Sequence, residues 1–192
     1  DPRAEIAASS VLSEQTGLSA QVDTPAGRLA LRSPLVGAFN LDNLLVALGL
    51  GLGLGLGLEA IGAALATCRG APGRIERVIV PGVAGPTVLV DYAHTPDAVA
   101  RALQAVRPAC RGRLFVLLGC GGDRDPSKRA PMGERAASLA DRFYATSDNP
   151  RTEDPQAIVD QMLAGVPAER RDRVVAIVDR KAAIAQAIAD AA

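Results

Sequence analysis

The sequence predicts an α/β fold with a mostly parallel sheet and flanking helices, and three observations carry that prediction. Beyond Thr87, short apolar runs alternate with longer segments of helical character, the pattern of parallel strands joined by right-handed crossovers. Polar clusters follow the first three of those runs, at the strand ends where open parallel sheets bind ligands. The composition is globular: 192 residues, 48% hydrophobic and 22% charged, enough for one large or two modest domains.

Residues 3–36 are expected to be β structure with turns. Ala20-Gln21-Val22-Asp23-Thr24 and Arg28-Leu29-Ala30-Leu31-Arg32 alternate polar and apolar around Pro25-Ala26-Gly27, the signature of a hairpin. Gly37 to Asn43 then leads into a helix through Leu44-Leu45-Val46-Ala47-Leu48. Asn40 or Asn43 is placed to cap it, or to offer an amide to a nucleobase edge.

Leu48 to Leu58 is a strict Leu-Gly alternation, the one low-complexity tract. As a helix it costs up to about 1 kcal/mol per glycine relative to alanine. Leucines two apart wind round a helix, so this one is expected to be buried on most sides. It should end near Gly57, with a second helix from Leu58 to about Arg69. Ala71-Pro72-Gly73-Arg74 breaks the pattern and marks a domain junction, dividing residues 1–73 from 74–192.

In the second part the strands are read at Thr87–Val90, Arg113–Leu118, 142–146 and Arg173–Val178. The helices are read at Pro96–Val106, Pro131–Leu139, Pro155–Leu163 and Arg180–Ala191. Asp91-Tyr92-Ala93-His94 follows the first strand, Gly119-Cys120-Gly121-Gly122-Asp123-Arg124-Asp125 the second, and Asp148-Asn149-Pro150-Arg151 the third. Three such loops on one sheet edge point to a ligand site.

The last of these turns is the most specific. Asn149 precedes a proline and is therefore held extended. Arg151 brings a planar fork that grips a carboxylate with two bonds, and Asp148 supplies the opposite charge. Acid, amide and guanidinium in one rigid turn suit a zwitterion such as an amino acid. The plainer alternative pairs Arg151 with Asp154 in an ordinary strand-to-helix loop, with Pro155 opening the helix. Lys128 and Arg129 are expected to face solvent or to form ion pairs, and Glu169 to Arg173 to be a solvated loop. Nothing near Cys120 marks it as a nucleophile.

Several classes are disfavoured. Lys+Arg and Asp+Glu balance at 21 each and aromatics are 3%, which argues against a nucleic-acid surface. Cys68, Cys110 and Cys120 are odd in number and widely spaced, so neither a disulfide framework nor a zinc site is expected and a reducing cytoplasm fits. Asp1-Pro2-Arg3-Ala4-Glu5 lacks the features of a signal peptide, and no run outside the Gly-Leu tract is long and apolar enough for a membrane span.

Together, Asp91-Tyr92-Ala93-His94-Thr95-Pro96, Gly121-Gly122-Asp123-Arg124-Asp125 with Lys128-Arg129, and Asp148-Asn149-Pro150-Arg151 resemble the C-terminal domain of the Mur ligases. Gly37 to Asn43 and Pro72-Gly73-Arg74-Ile75-Glu76 resemble the end of that family's central ATPase domain. The resemblance implies a Rossmann-like, mostly parallel sheet preceded by the tail of an α/β ATPase domain. It implies ATP-dependent amide synthesis with Mg²⁺, adding meso-diaminopimelate to UDP-MurNAc-L-Ala-D-Glu in peptidoglycan precursor synthesis. Asn43 would then lie against adenine, Arg74 toward the phosphates and Asp91 on the ribose, with His94 close by. Arg124, Asp148, Asn149, Pro150 and Arg151 would form the amino-acid site. Arg151 favours the diacid over lysine, because relatives that add lysine lack an arginine there. A monomeric, cytoplasmic protein with small-molecule substrates is implied.

The departures are equally specific. No G-x-x-x-x-G-K-[ST] phosphate loop occurs, and the UDP-sugar-binding domain, the carbamylated lysine and a Gly-Lys-Gly-His-Glu segment have no counterpart. Gly49, Gly51, Gly53 and Gly55 stand where family members carry mostly alanine. The chain is therefore expected to be a piece of a ligase that does not turn over alone. The alternatives are a ligase for another amino acid such as L-lysine, a folylpolyglutamate-synthase-like ligase, and an α/β module that binds nucleotide or amino acid without catalysis.

Overall fold

The computed structural model describes residues 5–14, 16–37, 39–82 and 84–191. The expectations for residues 1–4 lie outside them. The chain divides into two compact units, Asp1–Val78 with Leu89–Tyr92, and Ile79–Val88 with Ala93–Ala192.

In the first unit β1 (Ala7–Glu14), β2 (Gly17–Thr24) and β3 (Gly27–Ser33) form an antiparallel sheet in that order. The predicted hairpin is β2–β3, with Thr24 opposite Gly27 and two residues, Pro25 and Ala26, between them. Strand alternation sends Leu18, Ala20, Val22 and Leu31 to one face. There they form a core with Leu44, Leu48, Ile61 and Leu65 from two helices, α1 (Phe39–Gly53) and α2 (Leu58–Thr67).

Two expectations about α1 are corrected. The helix starts at Phe39, so Asn40 and Asn43 lie inside it and neither is its cap. Asn40 instead donates its side-chain amide to the Val36 carbonyl at 2.7 Å, and Asn43 donates to Asn40 Oδ1 at 3.1 Å. The Gly-Leu helix is also not buried on most sides. Residues two apart on a helix are separated by about 200°, so Leu48 and Leu52 turn to the core. Leu50 and Leu54 point away, 66% and 80% exposed.

Helix α1 stops because Gly55 takes φ +78°, a left-handed conformation open to glycine at little cost. Gly55 N–H donates to Leu52 O at 2.9 Å and Leu56 N–H to Gly51 O at 3.0 Å, the two bonds of a Schellman end.

Next, β4 (Glu76–Val78) pairs with β5 (Val88–Val90) in a two-stranded sheet. The sequence placed β5 in the parallel sheet; its apolar pattern identified a strand but could not name its neighbour.

The parallel sheet belongs to the second unit, with order β6 (Phe115–Leu118), β7 (Arg142–Ala145), β8 (Val174–Ala176). The central strand is buried throughout Phe143–Ala145. Around it stand α3 (Pro96–Val106), α4 (Arg129–Leu139), α5 (Pro155–Ala164) and α6 (Arg180–Ala191). Val99, Leu103, Met132, Ala136, Phe143, Ile158, Val159 and Met162 fill one core. Pro131 falls within the first turn of α4, where a missing N–H costs little, so the helix opens two residues earlier than predicted.

Helices α4 and α5 meet backbone to backbone. A Cβ on Gly133 would stand 2.0 Å from the Met162 carbonyl oxygen. Farther along, Tyr144 donates its hydroxyl to Asp190 Oδ2 at 2.6 Å, tying α6 to the central strand.

Candidate functional site

Strands β6 and β7 run side by side with Leu118 opposite Ala145, so the loops that follow them leave the same edge together. Gly119 has no room for a side chain: a Cβ would stand 2.7 Å from the Thr146 carbonyl. Beyond it the loops are stitched by backbone. Gly122 N–H donates to Asn149 O at 2.9 Å, and Arg151 Nη1 donates back to Gly122 O at 2.5 Å. A Cβ on Gly122 would stand 1.9 Å from the Pro150 carbonyl oxygen, so only glycine permits this approach.

Asp123 and Arg151 both adopt left-handed backbone, at φ +52° and +50°. Such positions are sparsely populated for residues other than glycine and need outside support. The support is visible. Asp123 accepts the Thr152 hydroxyl at 2.7 Å and the Thr152 N–H at 3.3 Å. Asp123 N–H donates to Glu153 Oε1 at 2.6 Å.

Glu153 in turn holds Arg129, the first residue of α4. Arg129 Nη1 donates to Glu153 Oε2 at 2.7 Å and Nη2 to Oε1 at 2.8 Å, a bidentate pair. The same guanidinium donates to Gln161 Oε1 at 2.8 Å and to Gly121 O at 3.2 Å. Its side chain is only 2% exposed. Hydrogen bonding from Arg129, then from the Asp123 N–H, holds the Glu153 carboxyl down at about 2. The ion pairing expected of Lys128 and Arg129 is present, with Lys128 exposed and 3.8 Å from Asp125.

Arg151 does not pair with Asp154 as the plainer alternative supposed. Asp154 caps α5, its carboxylate accepting the Gln156 N–H at 3.1 Å. Arg124, Asp148, Asn149 and Arg151 are exposed on these loops and Pro150 is half-buried. Cys120 is buried beneath them with its thiol 3.7 Å from Met132 Sδ. Burial pushes that thiol up to about 11, against the pull of Arg129.

Asn43, Arg74 and Asp91 belong to the first unit. Arg74 carries its guanidinium 5.3 Å from the centre of the Tyr92 ring, and the Ile75 N–H donates to Asp91 Oδ2 at 3.0 Å. Ile75 is itself left-handed, φ +47°, a costly conformation for a β-branched residue, and it aims that N–H at the carboxylate. Asn43 is exposed in the early part of α1. His94 is exposed one residue before Thr95, which caps α3 through the Ala98 N–H. Of the three loops expected to converge, two are joined by hydrogen bonds. Asp91 belongs to the first unit and His94 to the second.

The Arg129–Glu153 pair was not readable from sequence. Its members are 24 residues apart, and nothing in either local pattern names the other.

A family model described as "Mur ligase, glutamate ligase domain" matches residues 59–192. The chain belongs to this family. Among Mur ligase relatives, the UDP-N-acetylmuramoyl-L-alanyl-D-glutamate--2,6-diaminopimelate ligase of Gloeobacter violaceus is 50% identical, over 99% of this chain and 38% of the relative. The protein of that name from Parasynechococcus marenigrum is also 50% identical, over 100% of this chain and 38% of the relative. A solved structure of a ligase with the same name superposes with TM-score 0.71 at 34% identity, over 96% of this chain and 37% of that one. The chain thus spans little more than a third of the length of the Mur ligases it matches. Among the described residues no helix is long and apolar enough to cross a membrane. Nor does any group of three or more His, Cys, Asp or Glu among them stand together as metal ligands would.

Proposed function

We propose that this chain is part of an ATP-dependent ligase that adds meso-diaminopimelate to UDP-MurNAc-L-Ala-D-Glu, with residues 74–192 forming its amino-acid-binding domain and 1–73 the tail of its ATPase domain. The observation that carries this reading is the Arg151 guanidinium, steadied by the Gly122 carbonyl in a turn that also presents Asn149 and Asp148. A guanidinium fork beside an amide and a carboxylate matches an acceptor with carboxylates and an ammonium group. The relatives that align with nearly the whole chain carry the same activity in their names.

In this reaction the γ-carboxylate of the D-glutamyl residue takes the terminal phosphoryl group of ATP, releasing ADP and leaving an acyl phosphate. The acceptor's amine, having given up a proton, attacks the acyl carbon; the C–N bond forms and inorganic phosphate departs. Arg124, Asn149 and Arg151 bind the acceptor's charged groups so that its amine meets the acyl carbon, which is catalysis by orientation. Asn43 would lie against adenine, Asp91 on the ribose with His94 near, and Arg74 toward the phosphates. The fit of that set rests on Asp91, fixed by the Ile75 N–H, and on Arg74, held over Tyr92. Mg²⁺ bound with the nucleotide would neutralise phosphate charge, and no residue of this chain is assigned as its ligand. The protein is proposed to act as a cytoplasmic monomer.

The test is phosphate release by the full-length enzyme with ATP, UDP-MurNAc-L-Ala-D-Glu and either meso-diaminopimelate or L-lysine, with Arg151→Ala alongside. Turnover with the diacid, and a KM for it raised about 10–100-fold in the variant, supports the reading; that range corresponds to losing one charged hydrogen-bonded contact. Turnover with lysine instead would overturn the specificity, and no turnover with any amino acid would overturn the ligase.

A further inference from the structure

The amino-acid loops are held from behind by a side chain that faces no open site. Arg129 is 2% exposed, so a ligand on the loops meets the network it anchors rather than the residue itself. One guanidinium spans three segments: the Gly121 carbonyl in the first loop, Glu153 at the end of the second, and Gln161 on α5. Glu153 relays the constraint, because the oxygen that accepts Arg129 Nη2 also accepts the Asp123 N–H. Asp123 then fixes Thr152, the residue after Arg151. The left-handed residues of these two loops, Asp123 and Arg151, both sit inside this closed circuit.

We infer that Arg129 and Glu153 are positioning residues for the amino-acid acceptor: their pairing holds the Asp123 and Arg151 turns in the one mutual arrangement that presents Asn149 and the Arg151 guanidinium. The assignment rests on the acceptor site proposed above. A lysine at 129 keeps the charge but sheds the fork, so it cannot serve Glu153, Gln161 and the Gly121 carbonyl together. A glutamine at 153 keeps the shape but offers one acceptor oxygen where two are used.

The experiment uses full-length enzyme carrying Arg129→Lys or Glu153→Gln, and two readouts. In steady-state kinetics each variant raises KM for meso-diaminopimelate at least tenfold. Its KM for ATP and for UDP-MurNAc-L-Ala-D-Glu stays within about twofold, and its kcat at saturating acceptor within about threefold. Hydrogen exchange reads the geometry without substrate. The amides of Gly122, Asp123 and Thr152 exchange at least tenfold faster, while those of Phe143–Ala145 stay protected. Unchanged exchange at the three loop amides overturns the inference whichever amino acid proves to be the acceptor. Equal loss of protection in β7 also overturns it, since the pair would then be holding the fold and not the loops. Should the loop amides loosen while wild-type enzyme turns over with no amino acid, the acceptor reading of the site fails, and the inference fails with it.

Discussion

Gly122 and Pro150 lie in contact through their backbones, the Gly122 amide reaching past Pro150 to Asn149 O at 2.9 Å. A methyl at position 122 would meet the Pro150 carbonyl at 1.9 Å, and backbone cannot swing aside as a flexible side chain can. Gly122→Ala is therefore expected to destabilise the fold by about 1–3 kcal/mol, the usual cost of forcing a methyl into packed structure. That corresponds to a fall in Tm of roughly 2–12 °C for a chain of this size. Gly112→Ala is the control, because a Cβ there meets nothing within 4 Å. Calorimetry of the two variants decides it; equal Tm values would mean the loops separate without cost.

Cys120 should be slow toward thiol reagents. Its thiol is pushed up to about 11 by burial, so at pH 8 only about one molecule in a thousand carries the reactive thiolate. Cys68 and Cys110 are only half-buried. Labelling the native protein at pH 8, followed by mass spectrometry of the peptides, should show Cys120 at least 100-fold slower than either. Denaturant should remove most of the difference. Comparable native rates would mean that the thiol under the loops is accessible.

Acid should unlock the Arg129–Glu153 pair late. The folded state holds Glu153 at about 2, below its ordinary 4.5, because Arg129 and the Asp123 N–H bond to the ionised form. A depressed carboxyl favours folding above its unfolded value, and that contribution fades as pH falls from about 4.5 toward 2. Asp141, lowered chiefly by Arg107, and Asp190, lowered chiefly by Tyr144, act in the same direction. Urea midpoints should be level near neutrality and decline through that acid window, and Glu153→Gln should decline less steeply. A variant with an unaltered acid profile would remove Glu153 from the account.

What could be read in advance follows the range of the signals. Helix α3 was legible to the residue because its start is local: Thr95 caps it and Pro96 opens it. Helix α6 also fell where its pattern placed it. The parallel strands β6 to β8 were legible because apolar runs alternated with helices. The partner of β5 was not, since pairing is a long-range choice that a three-residue strand does not encode. The exposure of the Gly-Leu tract was not legible for a different reason: a period of two leaves both sides of a helix leucine-bearing, and periodicity cannot say which side meets the core. In the site, Asp148 to Arg151 stood out because unusual residue types cluster there. Arg129 did not, because it looked like any surface charge beside Lys128 until the fold buried it.

The Gly-Leu tract and the Schellman end that closes α1 have a consequence for heredity. A repeat of this kind coincides with itself after a shift of two residues, so gaining one Leu-Gly unit leaves Leu44, Leu48 and Leu52 in place against the sheet. The added pair is taken up beyond Gly55, in the exposed stretch before α2, where another glycine is always at hand to close the helix. Copy number in the tract can therefore drift between lineages without touching the core, whereas a change of a single residue would put glycines where the leucines pack.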